Sequence, residues 1–113
     1  LETRQLTYEA TLDLLSRHPD LRGIYCAGGG MEGAIAAVRE ARQPGEIALV
    51  VNELTPESRA ALIGRHVTMV IGTPLPRLCD DLVRLATEAV SGGMTAVQGQ
   101  HFLQPDLFLP ESV

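Results

Sequence analysis

Residues 47–64 read IALVVNELTPESRAALIG, and they give the main indication of the fold class. Ile47–Val51 is a continuous apolar run, which is typical of a strand covered on both faces. The triplet Thr-Pro-Glu at 55–57 predicts a helix start, because Thr caps, Pro fits the first helical position and Glu faces the positive end of the helix dipole. Gly64 ends that helix. A buried strand that leads into a capped helix is the building unit of α/β proteins.

The same alternation extends to both sides of this unit. Apolar residues at helical spacing predict helices, and short apolar runs predict strands. The further predicted elements are a helix over Leu6–Arg17, a strand over Gly23–Ala27, a helix over Met31–Arg42, a strand over Val67–Ile71, a helix with Leu78, Leu82, Leu85 and Ala89 on one face, a loose stretch over Ser91–Gln100, and an extended segment over Phe102–Leu109. Pro105 favours an edge or crossing strand over a central one for that last segment. The alternation predicts an α/β fold with an open, mainly parallel sheet.

Composition and charge narrow the possible functions. The chain has 113 residues, 45% of them hydrophobic, which suits one domain with a real core. The net charge is −5, and the nine basic residues are scattered arginines. Nucleic acids and membrane surfaces are bound through clustered basic residues, so we expect neither as a direct partner of this segment. We also expect no membrane span and no leader peptide, because no long apolar run and no basic-then-apolar start is present.

Two cysteines, Cys26 and Cys79, leave two interpretations open. They are either buried thiols of a protein in a reducing compartment, or partners in a disulfide. Neither belongs to a Cys/His spacing typical of zinc sites, so we expect no metal site. The thiol interpretation favours a cytoplasmic location.

A glycine motif offers a sharper hypothesis. Gly28, Gly30 and Gly33 match the G-x-G-x-x-G pattern between a predicted strand and a predicted helix, and Glu53 lies where an acidic residue would hold a ribose. One interpretation is a dinucleotide site. The other is a tight turn in which small residues allow close approach of a ligand or a neighbouring backbone.

The ends of the predicted strands form the best candidate ligand site. Ligands of open α/β sheets bind at the carboxyl ends of the strands. The residues at these ends are Gly28, Gly29, Asn52, Glu53 and Thr73. A carboxylate such as that of Glu53 can accept hydrogen bonds from two hydroxyl groups of a polyol. The alternative is that Asn52 and Glu53 serve only the following helix start. The three histidines have no Cys, Ser or Asp partner at motif spacing, so we expect no catalytic residues.

The ordered set of segments resembles the C-terminal part of the effector-binding domain of LacI/GalR-type transcriptional regulators, a type I periplasmic-binding-protein-like fold. The matching stretches are LLSRHPDLRGIYCAGGG (14–30), GAIAAVREA (33–41), GEIALVVNELTPESRAAL (45–62), VTMVIGTPLPRLCDDLVRLATEAVSG (67–92) and FLQPDLFLPESV (102–113). The family's ligand turn usually reads Ala-Asn-Asp, and a Gly-Gly-Gly version is familiar in one branch.

The resemblance implies a domain organisation and a site. Residues 1–113 would form the C-terminal portion of a ligand-sensing domain, with 1–66 in one lobe, 67–100 packed on a preceding lobe and 101–113 a returning strand. Glu53 takes the place of a family acid that hydrogen-bonds sugar hydroxyls. Gly28 falls at or next to a ligand-contacting Asn, and Thr73 near a polar hinge residue. Backbone N–H groups would replace the missing side chains, which suits an acidic or phosphorylated sugar.

The resemblance also implies a function without catalysis and without a cofactor. A sugar or sugar derivative would act as effector, and operator DNA would be bound only through a helix-turn-helix that precedes this segment. The apolar stripe on the last helix would lack its cover, so we expect association with a second copy.

Two alternative functions remain. An extracytoplasmic sugar-binding protein of an ABC transporter shares the fold and the site, so fold alone does not separate it from a regulator. The second alternative is an NAD(P)-dependent oxidoreductase domain built on the glycine motif.

Overall fold

A computed structural model describes residues 2–92 and 99–113 of the chain. Helices and strands alternate as predicted, and an α/β fold is confirmed. The elements are α1 (Arg4–Arg17), β1 (Gly23–Cys26), α2 (Met31–Ala41), β2 (Ala48–Asn52), α3 (Pro56–Ile63), β3 (Met69–Gly72), α4 (Leu75–Gly92), β4 (Asp106–Phe108) and a 3₁₀ turn (Pro110–Ser112).

Threonine caps fix two of the helix starts. The Thr55 hydroxyl accepts a hydrogen bond from the Ser58 N–H at 3.2 Å, and Pro56 follows at the first helical position, as predicted. Thr3 does the same for α1 by accepting the Leu6 N–H at 3.1 Å. Because of this cap, α1 begins two residues before the start predicted from its apolar spacing.

The strands form one open sheet in the order β1-β2-β3-β4. β1 and β2 are parallel, with Cys26 opposite Val51, and β2 and β3 are parallel, with Val51 opposite Val70. The mainly parallel sheet is therefore confirmed. Its parallel register brings the carboxyl ends of β1, β2 and β3 to the same edge.

The hydrophobic core lies on one face of the sheet. Leu49 and Val51 of β2 are fully buried, whereas Val50 is half-buried and Ala48 is exposed. The core combines strand residues with residues of the first three helices and their connections, namely Leu15, Met31, Ile35, Val38, Ile47, Leu49, Val51, Ala61, Leu62, Val67 and Val70. The prediction that this strand is covered on both faces was therefore wrong. A half-buried strand alternates because its successive side chains point to opposite faces.

The last strand is shorter than predicted. Only Asp106–Phe108 pairs as β4, directly after Pro105, which has no N–H to donate to the sheet. Phe108 packs against Gly72, where an added Cβ would lie 2.8 Å from the Phe108 ring. Residues 93–98 of the predicted loose stretch lie outside the described residues.

The chain divides into two units. The first unit consists of two stretches of the chain, the part up to Gly72 and Leu107–Val113. The second unit is Thr73–Asp106. β3, which begins the stretch 67–100 that was predicted to pack on a preceding lobe, pairs with β2 inside the first unit. That packing itself stays a prediction.

The second unit consists of α4 and the segment that precedes β4. The Arg77 guanidinium donates to the Gln104 carbonyl at 3.1 Å, and the His101 ring lies 2.9 Å from the Asp81 carboxylate. This hydrogen bond lowers the pKa of Asp81. The predicted apolar stripe of α4 is largely exposed, with Leu82 at 64%. Among the described residues, no helix combines the length and the apolar character that crossing a membrane requires.

Candidate functional site

The candidate site lies where β1 and β2 end side by side. The amide nitrogen of Asn52 donates a hydrogen bond to the Ala27 carbonyl at 2.8 Å, which joins the end of β2 to the turn that begins with Gly28. The structure therefore brings together the glycine turn and the Asn52-Glu53 pair, as the sequence predicted. Parallel pairing produces this placement, because both strands run toward the same edge.

Asn52 acts as a bridge between the two strands. Besides its bond to Ala27, its amide oxygen accepts a hydrogen bond from the Tyr25 hydroxyl at 3.2 Å. Both ends of the half-buried amide group thus have partners within the protein. Its predicted contact with a ligand stays a prediction, and the observed contacts assign it the role of fixing β1 against β2.

Tyr25 lies beside Asn52 at the candidate site, and its place there was not predicted from the sequence. Its side chain is 58% exposed although it lies in the middle of an apolar strand. The signal was the strand alternation, since Ile24 and Cys26 belong to the core face and Tyr25 therefore belongs to the opposite face. An exposed aromatic ring with a polar tip beside an amide is a suitable surface for a polyol.

Glu53 ends β2 with an unusual backbone. Its φ is 68°, in the left-handed region that non-glycine residues rarely adopt. Its N–H donates to the Ile71 carbonyl on β3 at 2.8 Å, and its carbonyl accepts the Ser58 hydroxyl at 2.9 Å. The side chain is exposed at this edge of the sheet.

The glycine turn is hydrogen-bonded to a carboxylate in this structure. Glu2 accepts the Gly29 N–H at 2.7 Å, and a Cβ at Gly28 would lie 2.3 Å from the same carboxylate. Gly30 has φ 76° and begins α2 without a side-chain cap. The absence of side chains therefore lets an acidic group approach the backbone N–H at the start of a helix.

Gly33 has a packing role that accounts for its place in the motif. A Cβ there would lie 2.0 Å from the Arg4 carbonyl oxygen, because α1 crosses α2 at this point. Gly33 is therefore required by the contact between two helices. This removes one of the three glycines that supported the dinucleotide hypothesis.

Thr73 follows β3 and belongs to the second unit, whereas the other predicted site residues belong to the first. Its side chain is exposed. Its contribution to the ligand site stays a prediction.

The cysteines are both free. The disulfide hypothesis is thus not realised here, and the prediction that both thiols are buried was wrong, since Cys79 is exposed and Cys26 half-buried. Partial burial raises the pKa of the Cys26 thiol. Within residues 2–92 and 99–113, no group of three or more His, Cys, Asp or Glu side chains is arranged to hold a metal ion.

Comparison with protein families gives a match over most of the chain. The family described as "periplasmic binding protein domain" matches residues 2–94. No curated protein sequence is significantly similar.

Solved structures show the same fold. GanP, a glucose-galactose binding protein from Geobacillus stearothermophilus, is 16% identical with a TM-score of 0.79, covering 98% of this chain and 39% of its own. The arabinose-binding component of an ABC transporter from Shewanella sp. ANA-3, bound to arabinofuranose, is 23% identical with a TM-score of 0.74, covering 96% and 37%. A 5-methylthioribose transporter solute binding protein from Thermotoga lettingae is 17% identical with a TM-score of 0.74, covering 97% and 35%. The chain thus spans little more than a third of these relatives.

Proposed function

Because the chain belongs to the family of periplasmic binding protein domains, we propose that it forms part of the ligand-binding domain of a sugar-binding protein of an ABC transporter. It binds and releases its ligand without catalysing a reaction. The structural relatives named above bind monosaccharides or a thioribose, and two of them belong to transporters. They favour a transport protein over a transcriptional regulator.

The observation that carries the proposal is the pairing of an exposed acid with an exposed aromatic ring around Asn52. Tyr25 hydrogen-bonds Asn52 directly, and Glu53 is the next residue along the chain. A carboxylate accepts hydrogen bonds from two neighbouring hydroxyl groups, whereas an aromatic ring packs on the apolar C–H face of a sugar. The two groups together match the two kinds of surface that a monosaccharide presents.

The glycine turn bears on the charge of the ligand. Its Gly29 N–H already donates a hydrogen bond to a carboxylate, that of Glu2. We propose that the same N–H binds a ring hydroxyl or an acidic group of the ligand, which displaces Glu2. A sugar acid is expected to bind this N–H more strongly than a neutral sugar does, because an N–H at a helix start favours negative charge.

Titration calorimetry on the full-length protein tests the proposal. D-glucose, D-galactose, L-arabinose and 5-methylthioribose are the probes. Glu53→Gln removes the charge of the proposed hydroxyl acceptor, and we expect it to weaken binding about tenfold. Glu46→Gln is the matched control, since Glu46 is an exposed glutamate just before the opposite end of the same strand. Equal affinities for wild type and Glu53→Gln would remove Glu53 from the site.

One observation favours the regulator hypothesis as a second candidate. Both thiols are free, which is typical of the reducing cytoplasm. Under this hypothesis the same site binds an effector, the protein is a cytoplasmic homodimer, and operator DNA is bound by a separate helix-turn-helix. Cell fractionation distinguishes the two candidates, since a transport receptor is recovered outside the cytoplasm and a regulator with the soluble cytoplasmic proteins.

A further inference from the structure

Glu53 holds a backbone conformation that is unfavourable for any residue with a side chain. At φ 68° its Cβ crowds the backbone carbonyl oxygen. Such residues persist only where the surrounding structure fixes them, and they occur preferentially at binding and active sites. The interactions that fix Glu53 are therefore part of the candidate site.

Two hydrogen bonds hold the peptide groups on either side of Glu53. Its N–H donates to Ile71 and thereby ties the end of β2 to β3. Its carbonyl accepts the hydroxyl of Ser58, which belongs to α3. The first bond continues the sheet, and the second links the strand end to the helix that follows.

The Ser58 hydroxyl is used in both directions. It accepts the Thr55 N–H at 2.8 Å while it donates to the Glu53 carbonyl at 2.9 Å. Ser58 is 0% exposed, so water does not compete for these bonds. Its neighbours Ala61 and Leu62 on α3 are equally buried in the core, which fixes the helix and hence the hydroxyl.

A capping role alone does not explain a serine at this position. The residue three places after a threonine cap is commonly Glu, whose carboxylate accepts the cap N–H. A carboxylate has no proton to donate, so it would leave the Glu53 carbonyl without this bond. A hydroxyl combines the acceptor that the cap needs with the donor that the left-handed turn needs.

We propose that Ser58 is a positioning residue for ligand binding: its hydroxyl holds Glu53 in the left-handed conformation and so presents the Glu53 carboxylate at the carboxyl edge of the sheet. The effect on binding rests on the proposed function, whereas the effect on the Glu53 backbone does not.

The test compares Ser58→Ala with Thr55→Ala in the full-length protein. Each variant removes a capping hydrogen bond of α3, but only Ser58→Ala releases the Glu53 carbonyl. The first readout is the NMR Cα shift and the N–H to Hα coupling of Glu53, which report its φ. We expect both to change in Ser58→Ala and to stay as in the wild type in Thr55→Ala.

The second readout is calorimetric titration with D-galactose, D-glucose and L-arabinose. For whichever sugar binds the wild type, we expect Ser58→Ala to lower the affinity about tenfold. Thr55→Ala is expected to change that affinity less than about twofold. Ser58→Thr retains the hydroxyl and is expected to restore binding. Should Ser58→Ala fail to fold, Ser58→Cys replaces it, because a thiol keeps the volume but donates weakly.

Unchanged NMR signals of Glu53 in Ser58→Ala would overturn the positioning role. So would an equal loss of affinity in Ser58→Ala and Thr55→Ala, since that would trace the effect to the helix cap. If the wild type binds none of the sugars, the proposed function fails, and the NMR comparison still decides whether Ser58 positions Glu53.

Discussion

Replacing Gly33 with alanine tests the packing of α1 against α2. The added Cβ would lie 2.0 Å from the Arg4 carbonyl oxygen and 2.7 Å from the Tyr8 nitrogen. Ordinary contact begins at 3.4 Å, so the helices must separate by about 1.4 Å at this point. Both contacts are with backbone atoms, which cannot rotate away as a side chain can.

The magnitude follows from two opposed terms. Overpacking a core costs up to about 3 kcal/mol, and contacts with backbone place this site at the upper end. Alanine in place of glycine within a helix returns about 1 kcal/mol. The expected net loss is therefore about 2 kcal/mol, which for a domain of this size lowers the melting temperature by about 10 °C.

Thermal unfolding followed by circular dichroism measures the effect, with Gly23→Ala as the control. A Cβ at Gly23 would meet the Ala48 carbonyl at an ordinary 3.5 Å, so its stability is expected to change by less than about 1 kcal/mol. If Gly33→Ala melts at the wild-type temperature, the close crossing of the two helices is wrong. Gly33 would then again be open to a role in a dinucleotide site.

Two further predictions concern pH and association. Burial lowers the pKa of His66, whose Nδ1 has no hydrogen-bond partner among the described residues, so the unfolded chain takes up its proton at higher pH than the folded one. The free energy of unfolding should therefore fall as the pH drops below about 6.5. Denaturant unfolding repeated across pH measures this fall, which should be smaller in His66→Gln. The exposed stripe of α4 should associate residues 1–113 with a second copy at micromolar concentration, and Leu82→Glu should shift the sedimentation mass to that of a monomer. A monomeric wild type would contradict the second prediction, and identical pH profiles the first.

The helices were predictable because their signals are local. The Thr-Pro pair at 55–56 begins α3 at the predicted residue, and Met31 begins α2. The bounds of the first three strands shifted by one or two residues, and the start of β4 by four, because strand bounds depend on pairing with a neighbour. Asn52 extends β2 only because it lies opposite Ile71, and no local pattern reveals that register.

The site was predictable in its position more than in the roles of its residues. Parallel strands end at one edge, so the glycine turn that follows β1 meets the Asn52-Glu53 pair at the end of β2. The roles depend on contacts between distant residues. The Asn52 side chain is hydrogen-bonded to Tyr25 and Ala27. The backbone of Glu53 is hydrogen-bonded to β3 and to α3. Glycine is the residue that usually marks a left-handed position. Because residue 53 is a glutamate, the local sequence gives no sign of that conformation.

Mapping the bound sugar on the full-length protein tests directly whether the carboxyl ends of β1 and β2 form the binding site. Amide signals are recorded by NMR while D-glucose, D-galactose, L-arabinose or 5-methylthioribose is added. For a sugar that binds, we expect the largest shifts at Gly28, Gly29 and Glu53, at the carboxyl ends of β1 and β2. Shifts confined to the amino ends of these strands, near Gly23 and Ala48, or no shift with any of the sugars, would contradict it.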